Sequence, residues 1–141
     1  MYLVFAVSVV ITALSLASIT FIKAKGDTVN MTAGKQIDTT IKIAVQNGCG
    51  RSGLASMFTE KLRLMGYDVV NGMGENADSF DYDVSVVIDR KSGSREKAEN
   101  VAEALGVSEV LLQRSADQYV IEDVILMLGR DWHTLALSRE E

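Results

Sequence analysis

Hydrophobic and polar positions change their spacing repeatedly along this chain, and each change marks an expected element. Residues 1–22, "MYLVFAVSVVITALSLASITFI", carry no charge and are apolar apart from Ser, Thr and Tyr. As a helix rising 1.5 Å per residue, this run would reach about 33 Å, enough to cross the hydrocarbon core of a bilayer. It lacks the basic leader and the short apolar core of a secretory signal, so an uncleaved transmembrane helix is the reading. Residues 23–39, "KAKGDTVNMTAGKQIDT", hold no period and are rich in Gly, Thr, Lys and Asp, the composition of a flexible tether.

Beyond the tether the period becomes two. "IKIAV" at 41–45 places Ile41, Ile43 and Val45 on one face of a strand. After a glycine-containing turn, Leu54, Phe58, Leu62 and Met65 recur at helical spacing, with Thr59, Glu60 and Arg63 off the stripe. Ser52 or Gly50 is the expected cap of this helix, and Gly66 its terminator. "YDVV" at 67–70 reads as a second strand, and "NGMGENADSFDYD" at 71–83 as loop. "VSVVI" at 84–88 is a third strand with Val84, Val86 and Ile88 inward. Ser94 is the expected N-cap of a second helix striped by Ala98, Val101, Ala102 and Leu105 and ended by Gly106. "EVLLQ" at 109–113 and "VILML" at 124–128 complete the strands.

The two halves repeat one plan: strand, turn, amphipathic helix, glycine, strand. The expected fold class is α+β, a two-layer sandwich of ferredoxin-like βαββαβ type with an extra C-terminal strand, preceded by one transmembrane helix. Both helices would lie on one face of the sheet and leave the other uncovered.

Charge and composition narrow the function. A formal net charge of −5 leaves no basic surface for nucleic acid. The single Cys49 excludes an intramolecular disulfide, and the single His133 argues against a histidine-based metal site. No catalytic or metal-binding cluster emerges from the spacing, and no cofactor is expected. Lys23, Lys25 and Lys35 follow the apolar run, and the positive-inside rule taken alone would keep the domain in the cytoplasm.

Gly48, Gly50 and Gly53 have the G-x-G-x-x-G spacing of dinucleotide-binding turns. That site also wants an acidic residue closing the second strand, but Asn71 follows Val70 and Glu75 comes too late. A structural turn is the simpler reading. Gly48 and Gly50 would supply positive φ, Gly53 a close helix–strand approach, and Asn47 a side chain bonded to the backbone ahead of it. Because helix N-termini attract anions, Asn47, Gly48, Gly50, Arg51, Ser52 and Gly53 are the candidate ligand-contact residues, with nucleotide or anion binding as the alternative function.

Arg51 and Ser52 at the first helix, with Arg90, Lys91 and Arg95 at the second, form one basic edge if the halves are related. Such an edge would meet a phosphate or carboxylate, or would only be solvated. Glu75, Asp78, Asp81 and Asp83 do not follow an EF-hand spacing. Trp132 is expected to pack over the sheet edge, and Cys49 with His133 is the only thiol–imidazole combination available.

The run "IAVQNGCGRSGLASMFTEKLRLMGYDVV" resembles the opening of the LytR C-terminal domain, through Asn47, Gly48, Gly50, Gly53, Leu54, Ala55, Gly66, Tyr67 and Val69. "VILMLGRDW" resembles its closing strand through Val124, Leu128, Gly129 and Asp131. Cys49 stands where the family has a small hydroxyl residue. The resemblance spans residues 40–132 and leaves 133–141 as a tail. It implies a bacterial envelope domain, here without the catalytic domain of LytR–CpsA–Psr proteins, and hence not an enzyme. The implied partners are the lipid bilayer through residues 1–22 and either cell-wall polymer or an envelope protein. The implied location of the soluble part is outside the cytoplasm, against the lysine bias. A purely structural subunit of a membrane complex is the remaining alternative.

Overall fold

A computed structural model of the protein describes residues 37–91 and 95–139. The expected transmembrane helix and nearly all of the tether lie outside these residues, as does Ser94. Among the described residues no helix is long and apolar enough to cross a membrane. The elements are β1 (Lys42–Asn47), α1 (Leu54–Leu64), β2 (Asp68–Val69), β3 (Glu75–Asn76), β4 (Val86–Asp89), α2 (Glu96–Leu105), β5 (Glu109–Leu112) and β6 (Val124–Leu128). Two short 3-10 turns, Trp132–Thr134 and Ala136–Ser138, follow.

These strands form one mixed sheet in the order β2-β1-β6-β4-β5, with β3 also paired to β1. The α+β sheet with two helices is consistent with the expected ferredoxin-like layering, but the strand order departs from a split βαβ. In a split unit a foreign strand separates the two strands flanking each helix. Here β1 pairs directly with β2, and β4 with β5, both in parallel. The C-terminal strand, expected as an extra, fills the centre instead. It runs parallel to β1 (Val45↔Leu126) and antiparallel to β4 (Val87↔Leu126).

Burial on both sides of the central strands explains their near-continuous apolar runs. The main core joins Leu54, Phe58 and Leu62 of α1 and Ala98, Val101 and Leu105 of α2 to Ile43, Val45, Val87, Val124, Leu126 and Leu128 of the sheet. Ala44, Val86, Ile88, Ile125 and Met127 form a second buried cluster on the opposite face, with Ala77 and Tyr82 packed against it. That face is therefore not the open surface expected of a two-layer arrangement. The same observation corrects the third strand. Val87 joins the helix-side core, Val86 and Ile88 face the other way, and Val84 is exposed. Thr59, expected off the stripe of α1, is fully buried.

The chain beyond 132 packs back on the domain. Leu135 and Leu137 enter the main core, and Lys61 Nζ donates to the Leu137 carbonyl at 2.7 Å. The turn after β6 is fixed by Asp131, whose Oδ1 accepts the Ser85 N–H and hydroxyl, each at 2.7 Å. Ser85 Oγ in turn accepts the Gly129 N–H at 3.0 Å, in a buried site. This ring of bonds gives the L-G-x-D closing motif a structural role.

Candidate functional site

Asn47 ends β1 with its side chain buried under the turn that follows. Its Oδ1 accepts the N–H groups of Cys49 (3.3 Å) and Gly50 (3.2 Å), and its Nδ2 donates to the Arg51 carbonyl at 2.9 Å. One amide side chain therefore organises the whole turn, as its position predicts. It also engages two backbone donors that a phosphate-binding loop would leave for its ligand.

The three glycines divide their roles differently from the expectation. Gly50 and Gly53 both have φ +75°, the left-handed conformation, and Gly53 is the N-cap of α1 in place of Ser52 or Gly50. A Cβ on Gly53 would touch nothing within 4 Å, so its role is conformational and not close packing. Gly48 needs no positive φ. A Cβ there would lie 2.7 Å from the Tyr82 ring and 3.0 Å from the Leu128 carbonyl oxygen, so Gly48 serves close approach. The Phe80 ring stands similarly over Gly50, its Cγ 3.2 Å from where a Cβ would be. Two aromatic rings from the 71–83 loop thus occupy the space in which a pyrophosphate would meet the glycines of a dinucleotide turn.

The second half repeats the device with other residues. Asp89 ends β4, is buried, and accepts the N–H of Lys91 (3.0 Å) and of Arg95 (3.2 Å). Arg95 takes the place of Gly53: each stands six positions after the strand-end acceptor, each is left-handed, and a helix starts at the next residue. Arg95 keeps φ 64° without being glycine, a conformation that usually costs a side chain about 1–2 kcal/mol.

The basic residues of the two halves do not form one common edge. Arg90 Nη1 donates to the Gln113 carbonyl and faces Glu122, while Lys91 Nζ donates to the Ile121 carbonyl. Arg95 Nη2 donates to the Val110 carbonyl, and its Nε lies 3.6 Å from Glu99. Arg90 and Lys91 thus pin the segment between β5 and β6, while Arg95 ties the start of α2 to β5 itself. Arg51 is different: its guanidinium lies over the Trp132 ring, 4.3 Å from the centroid. Trp132 is half-buried against the core and meets the His133 ring edge-on at 6.0 Å. Ser52 is exposed.

Between α1 and the 3-10 turns lies a groove of about 140 Å³, lined by Arg51, Met57, Lys61, Trp132, His133 and Ser138. Only Arg51 of this set belongs to the glycine turn. Met57 and Lys61 are one helical turn apart on α1, and Ser138 lies in the segment read as a tail, so no local spacing brings the six together. Cys49 and His133 have separate neighbours: the thiol lies 3.6 Å from Asn47 Oδ1, and the imidazole packs on Trp132. Among the described residues no group of three or more His, Cys, Asp or Glu is placed to hold a metal ion.

Comparison with known proteins agrees with the motifs at both ends of the sheet. No curated protein matches the chain, and no solved structure does. One family model matches residues 40–132, a span that opens at β1, takes in the Asn47 turn, and closes on the Gly129–Asp131 corner and Trp132. With most of its length covered, the chain belongs to the LytR_C family, described as LytR cell envelope-related transcriptional attenuator.

Proposed function

We propose that this protein is a non-catalytic, membrane-anchored module that binds cell-wall polymer or an envelope protein partner outside the cytoplasm. The domain is of an envelope-associated family, and the match over residues 40–132 is the observation that carries the reading. The uncharged run at 1–22 supports an anchor, and the tether at 23–39 would let the domain reach beyond the lipid surface. Retention of the full chain on purified wall sacculi tests the binding, and no retention at low salt counts against a wall ligand. A reporter fused at Glu141 that is active only outside the cytoplasm tests the orientation.

Nucleotide binding at the glycine turn is the weaker reading. Phe80 and Tyr82 stand over Gly50 and Gly48, and Asn47 holds the backbone donors between them. A thermal-shift screen against nucleotides is expected to be flat. A ligand present at a hundred times its Kd would add about 2.7 kcal/mol.

A further inference from the structure

We propose that the groove between α1 and the 3-10 turns is where the domain meets its polymer, and that it takes an oxyanion, a carboxylate or phosphate ester carried on that polymer. This deepens the polymer-binding reading and rests on it.

Charge is the first argument. The chain carries 19 acidic and 14 basic residues, yet among the described residues the groove lining holds Arg51 and Lys61 and not one carboxylate. Of the cations outside the groove, Arg90, Arg95, Lys97 and Arg130 each face a Glu or Asp within 4 Å, while Arg63 and Lys91 donate to backbone carbonyls. Among the described residues neither Arg51 nor Lys61 has a carboxylate partner. A positive groove on a negative protein selects an anion over a neutral or cationic group.

Preorganisation is the second. The guanidinium of Arg51 is held by the Trp132 face, 4.3 Å away, and Trp132 is itself braced by His133 and the core. A guanidinium held over a ring face spends no conventional hydrogen bond on it, and its N–H donors can serve an oxyanion. Lys61 is fixed by one bond to the Leu137 carbonyl at 2.7 Å, and an ammonium has two further donors. Holding both side chains before the ligand arrives lowers the entropy lost on binding. Size is the third argument. About 140 Å³ suits one oxyanion and its nearest atoms, and falls short of the roughly 300–1,000 Å³ of a whole small-molecule site. The rest of the polymer would then lie across the surface.

The test compares retention of the full chain on wall sacculi for the native protein, the uncharged polar variant Arg51→Gln/Lys61→Gln, and the charge-keeping variant Arg51→Lys. Thermal unfolding is measured for all three. The neutral pair is expected to lose about tenfold in retention, equivalent to 1.4 kcal/mol, while Arg51→Lys, which keeps the charge and loses the guanidinium fork, loses less than the neutral pair, and the unfolding midpoint moves little. Sacculi stripped of phosphodiester-linked polymer separate the two sources. Retention lost on stripping assigns the anion to phosphate, and retention kept assigns it to wall carboxylates. Native retention unchanged in the neutral pair overturns the groove and leaves polymer binding standing. Absence of retention by the native chain removes both. Binding of soluble wall fragments that leaves the emission of Trp132, the single tryptophan, unchanged also overturns the groove.

Discussion

The side chain of Asn71 pairs with the backbone of Val45 as a strand residue would. Its Oδ1 accepts the Val45 N–H at 3.0 Å, and its Nδ2 donates to the Val45 carbonyl at 2.8 Å. β2 covers Lys42 and Ile43 on this edge of β1, and β3 covers Gln46 and Asn47. The Asn71 amide fills the gap between them, while the Gly72 carbonyl accepts from Arg63 and Gly74 packs closely on Ala55 of α1. Asn71→Ala removes both bonds at once and is expected to cost about 2 kcal/mol. Urea unfolding should show a lower midpoint at unchanged slope, and hydrogen exchange should accelerate at Val45.

Two glycines separate a conformational requirement from a steric one. Gly53→Ala imposes a side chain on a left-handed residue in open space, with an expected cost of about 1–2 kcal/mol. Gly129→Ala would drive a Cβ into the Val84 carbonyl and to 2.7 Å from the Ser85 nitrogen. Backbone must move there, and the Asp131–Ser85 ring of bonds moves with it, so a loss of about 3 kcal/mol or more is expected. Thermal unfolding of the two variants side by side gives the ranking.

Thr59 is fully buried in α1, and its hydroxyl has no hydrogen-bond partner among the described residues. Thr59→Val keeps the shape, removes the stranded polar group, and leaves helix propensity nearly unchanged. A gain of about 1 kcal/mol is expected in the same unfolding assay. A loss of stability would mean that the hydroxyl has a partner in solution.

Burial pushes the Tyr67 phenol above the ordinary tyrosine range, and the negative charge of Asp38 adds to the shift. The folded protein therefore keeps this proton where the unfolded chain, with a pKa of about 10, releases it. Stability is complete below pH about 10 and falls as pH rises through the raised folded value. Tyr67→Phe should flatten that alkaline limb, and phenolate absorbance should show one late-titrating tyrosine in the native protein. Asp38 is shifted the other way, held low by hydrogen bonds from the Thr40 side chain and backbone.

Periodicity reveals the elements whose burial is regular. The stripes Leu54, Phe58, Leu62 and Ala98, Val101, Leu105 are buried as spaced, and the position of Asn47 announces its turn. Two-sided burial defeats the same reasoning at β4, because the apolar run Val86, Val87, Ile88 carries no alternation to say which residues face the helices. β3 has only two residues, both exposed, and pairs because β1 offers an edge. Leu135 lies between the two 3-10 turns and Leu137 in the second, and both turns are too short for any period. Arg95 shows no sign in its residue type of the left-handed conformation that Asp89 and the repeat impose. The candidate groove has the same difficulty, since Arg51, Lys61 and Trp132 come from three separate stretches joined only by folding.

β6 closes the sheet from the inside, and it is the last of the described strands to leave a ribosome. Until residues 124–128 are made, each half can form only its own helix-linked pair, with Ile43 and Val45 on one waiting margin and Val87 on the other. Completion must then join distant segments, as the Lys42–Asp123 bond does across 81 positions, and long closures of this kind slow folding. A nascent or clipped product ending before Val124 would carry two adhesive, half-made sheets, so quality control of this protein turns on the arrival of a single five-residue segment.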